Sequence, residues 1–328
     1  MDNCHIVYDF SVMPITFDGM VALCCAASIP KKEGLKASIH FVRDTYRAQT
    51  PRDRTYDDHT KKWRSTNILL RGAGLINNVS QITVTDHRSM EFNTKALIPP
   101  EWRANKPVPL GYTWKTMRAL HESGYDFRLL RSGIQAKRHI KNYLSTTKSN
   151  VSLSVRSADY DSSRNTNIDD WVGLYNYLES AGYHCIIVPD QSSALSGEIL
   201  PFPPERVMTS AAIDLELRLA LYESCYGNIG WSGGQCSIQW LSRVSFLIFG
   251  ALNSNSPIAD KRYWRDYGFS IKENNPLFLN NQFYDWKDAK RITLDHLIEK
   301  SCLYLKSLEV TPTSNSIINK LISKYRTI

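Results

Sequence analysis

The segment VSLSVRSADYDSSRNTNIDDWVGLYNYLESAGYHCIIVPD (residues 151–190) decides the fold class of this 328-residue chain. Its apolar, β-branched ends, at 151–157 and 184–190, are typical of buried strands, and residues 168–183 place apolar side chains at helical spacing. A strand, a helix and a second strand in succession predict a βαβ unit, in which the two strands lie parallel.

The same alternation continues toward the C-terminus. An apolar helix over 214–227 precedes the strand NIGW (228–231), and a further strand is predicted at 243–250. The last strong helix, 293–308, is amphipathic. We therefore predict a Rossmann-like domain at 146–292 that binds the ligand. Residues 293–328 should form a helical segment that packs back across the domains.

The N-terminal half has a similar pattern. Strands are predicted at 5–12, 37–44 and 81–86, with helices at 17–28 and 65–76 between them. The polar stretch STTKSN (145–150) reads as a linker, so we place a first Rossmann-like domain at 1–145. The sequence thus predicts an α/β protein with two parallel-sheet domains facing each other across a cleft. Such sheets bind ligands at the carboxyl ends of their strands.

The composition of the chain argues against several classes of protein. Apolar residues make up 42% and charged residues 22%, as in ordinary globular proteins. The seven cysteines are scattered without a CxxC pair, which argues against a disulfide framework or a zinc site. No apolar run reaches the roughly 18 residues of a membrane span, and the start MDNCHIVYDF lacks the features of a signal peptide. We expect a cytoplasmic protein.

The positive charge lies in one half of the chain. Residues 1–150 carry 23 lysines and arginines against 13 acidic residues, whereas residues 151–328 carry 17 against 19. A basic half could attract an acidic substrate, anionic lipid or nucleic acid. Because the charges are dispersed, a solvated surface remains the plainer interpretation. The two halves are expected to differ in function.

The turn after the strand NIGW is the strongest local motif. Ser232, Gly233 and Gly234 precede a predicted helix that begins near Gln235. Glycines allow a close approach of backbone to ligand, and a helix N-terminus offers free N–H groups. The turn therefore predicts a phosphate site. The alternative is a tight strand-to-helix turn with Ser232 as the helix cap.

A second group of anion-binding side chains follows the strand at 151–157. Arg156, Ser157, Arg164 and Asn165 should lie at the same sheet edge as the glycine turn. Arginine suits bidentate contact with phosphate, and two of them could neutralise a diphosphate. The alternative is a solvated loop, in which these arginines pair with Asp159, Asp161 and Asp169.

These motifs carry a resemblance. The R-x-S strand end, the strand IIVPD and the run NIGWSGG followed by VSFLIFG resemble the C-terminal half of two-Rossmann (GT-B) glycosyltransferases. The nearest branches are heptosyltransferase-like and fucosyltransferase-like. The segments VYDFSVMPITFD and WRSTNILL also look like an uncharacterised bacterial group associated with surface polysaccharide. The chain departs from the heptosyltransferases in one place, because Trp231 precedes Ser232 where they have an acidic residue.

The resemblance implies a glycosyltransferase with a nucleotide-sugar donor and a saccharide or lipid-linked acceptor. It puts Ser232, Gly233, Gly234 and Gln235 at the donor diphosphate, whose charge Arg156 and Arg164 would counter during departure. It implies neither a metal ion nor another cofactor. The basic N-terminal half would bind the acceptor, and peripheral contact with the inner face of a membrane would suit a lipid-linked one.

Two sets of residues in the N-terminal half complete the predicted site. An inverting transferase needs a general base, for which Asp18 is the candidate and Asp44 the rival. Asp9 is embedded in the first strand and is expected only to cap a turn. Asp18 could instead simply stabilise a helix N-terminus. An acidic acceptor could bind to basic side chains that could equally form surface ion pairs, namely Arg43, Arg47 and Arg64.

Three other functions stay open at this point. A nucleotide-sugar epimerase of the same fold would need an acidic and histidine cluster that the sequence does not suggest. A nucleic-acid-binding protein would use the basic half, but no known signature of such proteins is present. A catalytically inactive nucleotide-binding protein would keep the phosphate motifs and lack the base.

Overall fold

The computed structural model of the chain describes residues 3–43, 56–88, 96–158 and 161–309. Contacts divide it into two units. The first unit runs to Gly133 and includes Trp240–Ser242, and the second comprises Ile134–Gln239 and the chain from Arg243 onward. The division thus precedes the helix Ile134–Ile140, whereas the sequence analysis placed the boundary at the linker behind that helix. The helix packs against Leu215–Ser224, which explains its place in the second unit.

The first unit is built on a parallel sheet. Its elements are β1 (Asn3–Asp9), α1 (Asp18–Lys32), β2 (Lys36–Val42), α2 (Asp58–Arg64), a π-helical turn (Ser65–Leu70), α3 (Arg71–Ala73), β3 (Val79–Thr85), β4 (Leu97–Ile98) and α4 (Trp114–Glu122). Within the described residues, the sheet has four strands in the order β3-β2-β1-β4. Every pairing in it is parallel.

Helix α1 packs on β1 and β2 because its apolar side chains are almost all buried. Its second residue, Gly19, must be a glycine, since a Cβ atom there would lie 2.1 Å from the hydroxyl oxygen of Tyr8. This close approach brings the start of α1 onto the sheet. The loop from β1 to α1 is thereby held at the carboxyl end of the central strand.

The second unit contains the βαβ segment from which the fold class was predicted. Its elements are α5 (Ile134–Ile140), β5 (Asn150–Ser154), α6 (Ile168–Ser180), β6 (His184–Val188), α7 (Gln191–Ser196), α8 (Thr209–Ile213), α9 (Leu215–Ser224), β7 (Gly227–Trp231), α10 (Ser237–Trp240), β8 (Phe246–Phe249), α11 (Lys261–Asp266), β9 (Gln282–Tyr284) and α12 (Leu294–Leu308). Its described residues form a five-stranded parallel sheet, β6-β5-β7-β8-β9.

The two faces of this sheet differ in polarity. Val151 and Leu153 of β5 lie in an apolar core with α6 and α12, to which Trp171 and Tyr304 also belong. The alternate side chains of β5 are polar, and the Ser154 hydroxyl forms a 2.8 Å hydrogen bond with the hydroxyl of Tyr222 on α9. Strand periodicity therefore puts an apolar core on one face and a hydrogen-bonded layer on the other.

The predicted fold class is confirmed, because both units are α/β with parallel sheets. The arrangement of the domains across a cleft stays a prediction. The helix predicted to begin near Gln235 is present but short, since it consists of a 3₁₀ turn (Gly234–Cys236) and the four-residue α10. The helix ends there because Trp240–Ser242 join the first unit, where Trp240 packs on Trp114. The tail beyond Glu309 lies outside the described residues.

Candidate functional site

The turn after β7 brings together the residues that the sequence analysis assigned to phosphate. The Ser232 N–H donates to the Phe249 carbonyl at 2.8 Å, which fixes the turn to the end of β8. Gly233 follows in an extended conformation and is buried. A Cβ atom on it would lie 3.3 Å from Nη1 of Arg156. The glycine therefore leaves room for the Arg156 side chain. The arginine and the turn are close together in the structure, as the sequence analysis predicted.

The buried thiol of Cys236, which follows this turn, lies within the electrostatic influence of three arginines. Burial raises the pKa of Cys236 to about 11, while a hydrogen bond with the Gly233 backbone and the positive charges of Arg218, Arg156 and Arg164 oppose that rise. Charges act on a neighbouring pKa when they lie close to it. The three arginines, hereafter the arginine cluster, thus concentrate positive charge at the carboxyl end of β7.

Arg218 is the member of the arginine cluster that is fixed within the protein. Only 1% of its surface is exposed. Its guanidinium donates to the carbonyl oxygens of Ala211 at 2.7 Å and Ala212 at 3.2 Å, and to Oε1 of Gln235 at 2.8 Å. The other end of the Gln235 amide donates to the Val155 carbonyl at 3.3 Å. Gln235 therefore joins the buried arginine to the end of β5.

The loop after β5 is closed by one asparagine side chain. The Asn165 carbonyl oxygen accepts the N–H of Ala158, and its amide nitrogen donates to the Ala158 carbonyl, each at 3.0 Å. The Ser157 carbonyl accepts the hydroxyl of Ser192 at 2.7 Å, which ties the loop to α7. Asn165 thus shapes the loop that carries Arg164. Its predicted contact with the diphosphate, like that of Ser157, stays a prediction.

Trp231 occupies the position where the resembling family has an acidic residue. Its ring lies over Gly250, where a Cβ atom would be 2.6 Å from Cε2 of the indole and where φ is +69°. Its indole N–H donates to the Arg164 carbonyl at 2.7 Å. The tryptophan consequently anchors the Arg164 loop to the sheet. The sequence analysis missed this packing of Trp231. The glycine at position 250 could have indicated it, because a residue without a Cβ atom leaves room for a ring.

The alternative interpretation pairs the arginines of this loop with three nearby aspartates. Asp161 accepts hydrogen bonds from the hydroxyls of Ser163 at 2.5 Å and Ser256 at 3.3 Å. Asp169 lies in the first turn of α6, where its charge suits the helix dipole. Asp159 lies outside the described residues.

The predicted base lies at the start of α1. Asp18 is exposed and is the first residue of the helix, where its carboxylate accepts the Thr16 hydroxyl at 3.0 Å. This position agrees with a helix-terminal acid and leaves the carboxylate accessible to solvent. Its role as the base stays a prediction. The rival, Asp44, lies outside the described residues.

The three arginines assigned to the acceptor have different environments. Arg43 forms a surface ion pair with Asp86 at 3.2 Å. Arg64 is buried, donates from Nε to the Ile15 carbonyl at 3.0 Å and lies over the Tyr56 ring. It therefore supports the loop that leads to α1. Arg47 lies outside the described residues, and acceptor binding by these residues stays a prediction.

A buried carboxylate to which the sequence analysis gave only the capping of a turn organises the carboxyl edge of the first sheet. Asp9 ends β1 with 1% of its surface exposed and accepts hydrogen bonds from Arg88, at 2.9 and 3.2 Å, and from the backbone and hydroxyl of Ser11. The Trp102 indole donates to it at 3.3 Å. Burial alone would raise the pKa of Asp9, but the hydrogen bonds from Arg88 and Ser11 hold it below its ordinary value.

Two histidines on neighbouring strands of the first sheet should make its stability depend on pH. His5 and His40 share a 2.9 Å hydrogen bond, and the other ring nitrogen of His40 bonds the Thr83 hydroxyl at 2.7 Å. Burial, helped by His5, lowers the pKa of His40 from 6.5 to about 4. At a pH between these two pKa values, His40 is protonated in the unfolded chain and neutral in the folded chain. The free energy of unfolding therefore falls as the pH falls.

We expect the free energy of unfolding to lose about 2 kcal/mol from His40 between pH 7 and pH 5. Urea unfolding at both values checks this. In His40→Asn, which cannot titrate, the difference between the two pH values should shrink by that amount. An equal pH dependence in both proteins would show that His40 is protonated without cost.

Other structural features bear on metals and membranes. Among the residues of the described ranges, no group of three or more His, Cys, Asp or Glu side chains is arranged to hold a metal ion. No helix in the described part of the chain is long and apolar enough to cross a membrane.

Comparison with known proteins identifies the fold. A scan against protein-family models gives no match, and neither does a search of curated proteins. Among solved structures, a glycosyl transferase family 9 protein from Veillonella parvula matches with a TM-score of 0.52 and 11% identity, over 92% of this chain and 97% of that one. The E. coli ADP-heptose lps heptosyltransferase II matches with a TM-score of 0.47 and 11% identity, over 94% and 100%. The chain thus has the GT-B-like fold that the resemblance implied.

Proposed function

We propose that the protein is a glycosyltransferase that moves a sugar from a nucleotide-diphosphate donor to a saccharide or lipid-linked acceptor. One observation carries the proposal: Arg156 packs against Gly233 in the Ser232–Gly234 turn, and the buried Arg218 bonds the side chain of Gln235 directly after it. This is the carboxyl edge of a parallel sheet, where such folds bind ligands. The shared fold with a glycosyl transferase family 9 protein supports the reaction type.

The chemistry that the site would perform is the departure of a nucleoside diphosphate. As the bond between the anomeric carbon and the phosphate oxygen breaks, that oxygen gains negative charge. Arg156 and Arg164 would stabilise it through charge-assisted hydrogen bonds, and Arg218 would add a fixed positive charge. Donors near the turn would hold the diphosphate, namely Ser157, Ser232, Gly233 and Gly234 with the backbone N–H group of Gln235, while the amide side chains of Asn165 and Gln235 hold the Arg164 loop and Arg218. Because α10 is so short, we assign the charge stabilisation to the arginines.

The first unit would supply the acceptor and the base. Asp18 would take the proton of the acceptor hydroxyl as that oxygen attacks the anomeric carbon, and its exposure at the start of α1 is compatible with this role. Arg43, Arg47 and Arg64 would attract an acidic acceptor. The arginines would replace a metal ion at the diphosphate. We propose bacterial surface polysaccharide synthesis in the cytoplasm, with peripheral contact at the inner membrane face, as the setting.

A ligand screen tests the proposal. The thermal unfolding of the purified protein is followed with ADP, GDP, UDP, CDP and their sugar conjugates. A ligand at about 100 times its dissociation constant should add about 2.7 kcal/mol of stability. One nucleoside diphosphate that stabilises the protein would identify the base of the donor. No effect of any nucleotide, together with a salt-sensitive effect of oligonucleotides, would contradict sugar transfer and favour nucleic-acid binding.

A further inference from the structure

The loop after β8, residues 250–259, places two buried polar side chains against the turn that carries Arg164. Asn253 and Ser256 of this loop are each 1% exposed. The loop is fixed by its own backbone, since the Asn253 N–H donates to the Ala259 carbonyl at 2.9 Å and the Ser256 N–H to the Asn253 carbonyl at 3.1 Å. Burying a polar side chain costs free energy unless it is hydrogen-bonded. The partners of these two side chains therefore show what the loop holds.

Both side chains bond to the short turn that ends at Arg164. The Asn253 amide donates to the Ser163 carbonyl at 3.1 Å. The Ser256 hydroxyl donates to Oδ2 of Asp161 at 3.3 Å, and Oδ1 of the same carboxylate accepts the Ser163 hydroxyl. The loop after β8 thus holds the turn at two points, a backbone carbonyl and a side-chain carboxylate.

Asp161 begins the turn in a conformation that few residues adopt. Its φ is 56° and its ψ 66°, in the left-handed region, and it is the one non-glycine residue of the described ranges with a positive φ. Aspartate and asparagine reach this region more easily than other L-residues. The Asp161 carbonyl accepts the Arg164 N–H at 3.1 Å, and the Trp231 indole holds the Arg164 carbonyl at 2.7 Å. The backbone on which the arginine stands is therefore fixed on both sides.

We infer that Asn253 and Ser256 are positioning residues, which hold the Arg164 guanidinium where it meets the anionic ligand of the arginine cluster. They act through the backbone of the turn and do not touch the ligand themselves. A side chain whose backbone is already fixed loses less freedom when it binds, so its contact with the ligand is stronger. The inference rests on the proposed function, because it takes that ligand to be a diphosphate.

The sign of one substitution separates positioning from simple electrostatics. The Asp161 carboxylate is partly exposed and belongs to the same turn as Arg164. If its charge were all that mattered, Asp161→Ala would remove a repulsion and strengthen the binding of an anion. If Asp161 holds the turn, the same substitution weakens that binding.

Calorimetric titration of the full chain with ADP, GDP, UDP, CDP and inorganic pyrophosphate tests this. We expect Asp161→Ala and Asn253→Ala each to weaken the binding of the diphosphate about tenfold. Asp161→Asn removes the same charge but keeps an acceptor oxygen and tolerates the left-handed conformation, so its affinity should stay within about twofold of the wild-type value. The matched control is Asn255→Ala, an exposed asparagine of the same loop, which should also stay within about twofold.

A double-mutant cycle shows whether the loop acts through the arginine. In an Arg164→Ala background, Asn253→Ala should change the affinity by less than about twofold. Equal losses in both backgrounds, or unchanged or tighter binding in Asp161→Ala, would overturn the inference and leave the proposed function standing. Pyrophosphate that binds with this coupling, while no nucleoside diphosphate binds, would support the inference and contradict the proposed function. A wild-type protein that binds none of these probes would overturn both.

Discussion

Replacing Arg156 by alanine should weaken the binding of the stabilising nucleoside diphosphate about 100-fold. A hydrogen bond to a charged group contributes about 1.5–3 kcal/mol, and a guanidinium that meets a phosphate makes such bonds in pairs. The side chain lies against Gly233, so its removal takes away the charge nearest to the turn. Calorimetric titration of the two proteins with the same diphosphate measures the change.

The control for this experiment is a surface arginine of the same unit. Arg265 has a side chain that is 75% exposed and lies 3.9 Å from Asp266, so Arg265→Ala removes the same charge from the chain as a whole. Its affinity should stay within about twofold of the wild-type value, because exposed charges at a distance are screened. Equal losses in the two variants would mean that only net charge matters, and the assigned diphosphate site would be wrong.

Removing the carboxylate of Asp9 should destabilise the protein by about 3–5 kcal/mol, because Asp9→Ala breaks a largely buried ion pair with the guanidinium of Arg88. The Ser11 hydroxyl and the Trp102 indole lose their acceptor at the same time. Urea unfolding at pH 7 measures the loss, and the first unit should unfold at a lower urea concentration.

Asp86 provides the comparison, since it also pairs with an arginine in the first unit but its side chain is 67% exposed. Asp86→Ala should cost no more than about 1 kcal/mol. Similar costs for the two substitutions would show that the Asp9 pair is compensated by water and does not organise the sheet edge.

The order of the elements could be predicted because it depends on local patterns. Apolar runs such as residues 151–157 and 184–190 reflect strands that are buried in a parallel sheet. The helix between them shows its own period. Shorter elements escaped prediction: β9 has three residues and β4 two, too few to show a period.

The sequence was sufficient to predict at which edge of the sheet the candidate site lies. Because parallel strands end at one edge, Arg156 just after β5 and the Gly233 turn after β7 were expected to be neighbours, and they are. The length of the next helix was not predictable, because it ends where the chain joins the first unit. The ion pair of Asp9 was missed because its partner Arg88 is far away in sequence and meets it only across the sheet edge.

The sequence by itself determined the alternation of strands and helices, the parallel sheets and the edge at which polar residues collect, since these follow from periodicity and chain direction. Only the tertiary structure decided what each polar side chain does there. Gln235 and Asn165 have anion-binding chemistry in the sequence, yet the fold uses their amides to hold Arg218 and the Arg164 loop. Trp231 in turn closes over Gly250. The physical reason is that a buried polar group bonds to whichever partner packing brings within reach, and packing joins residues far apart in the chain.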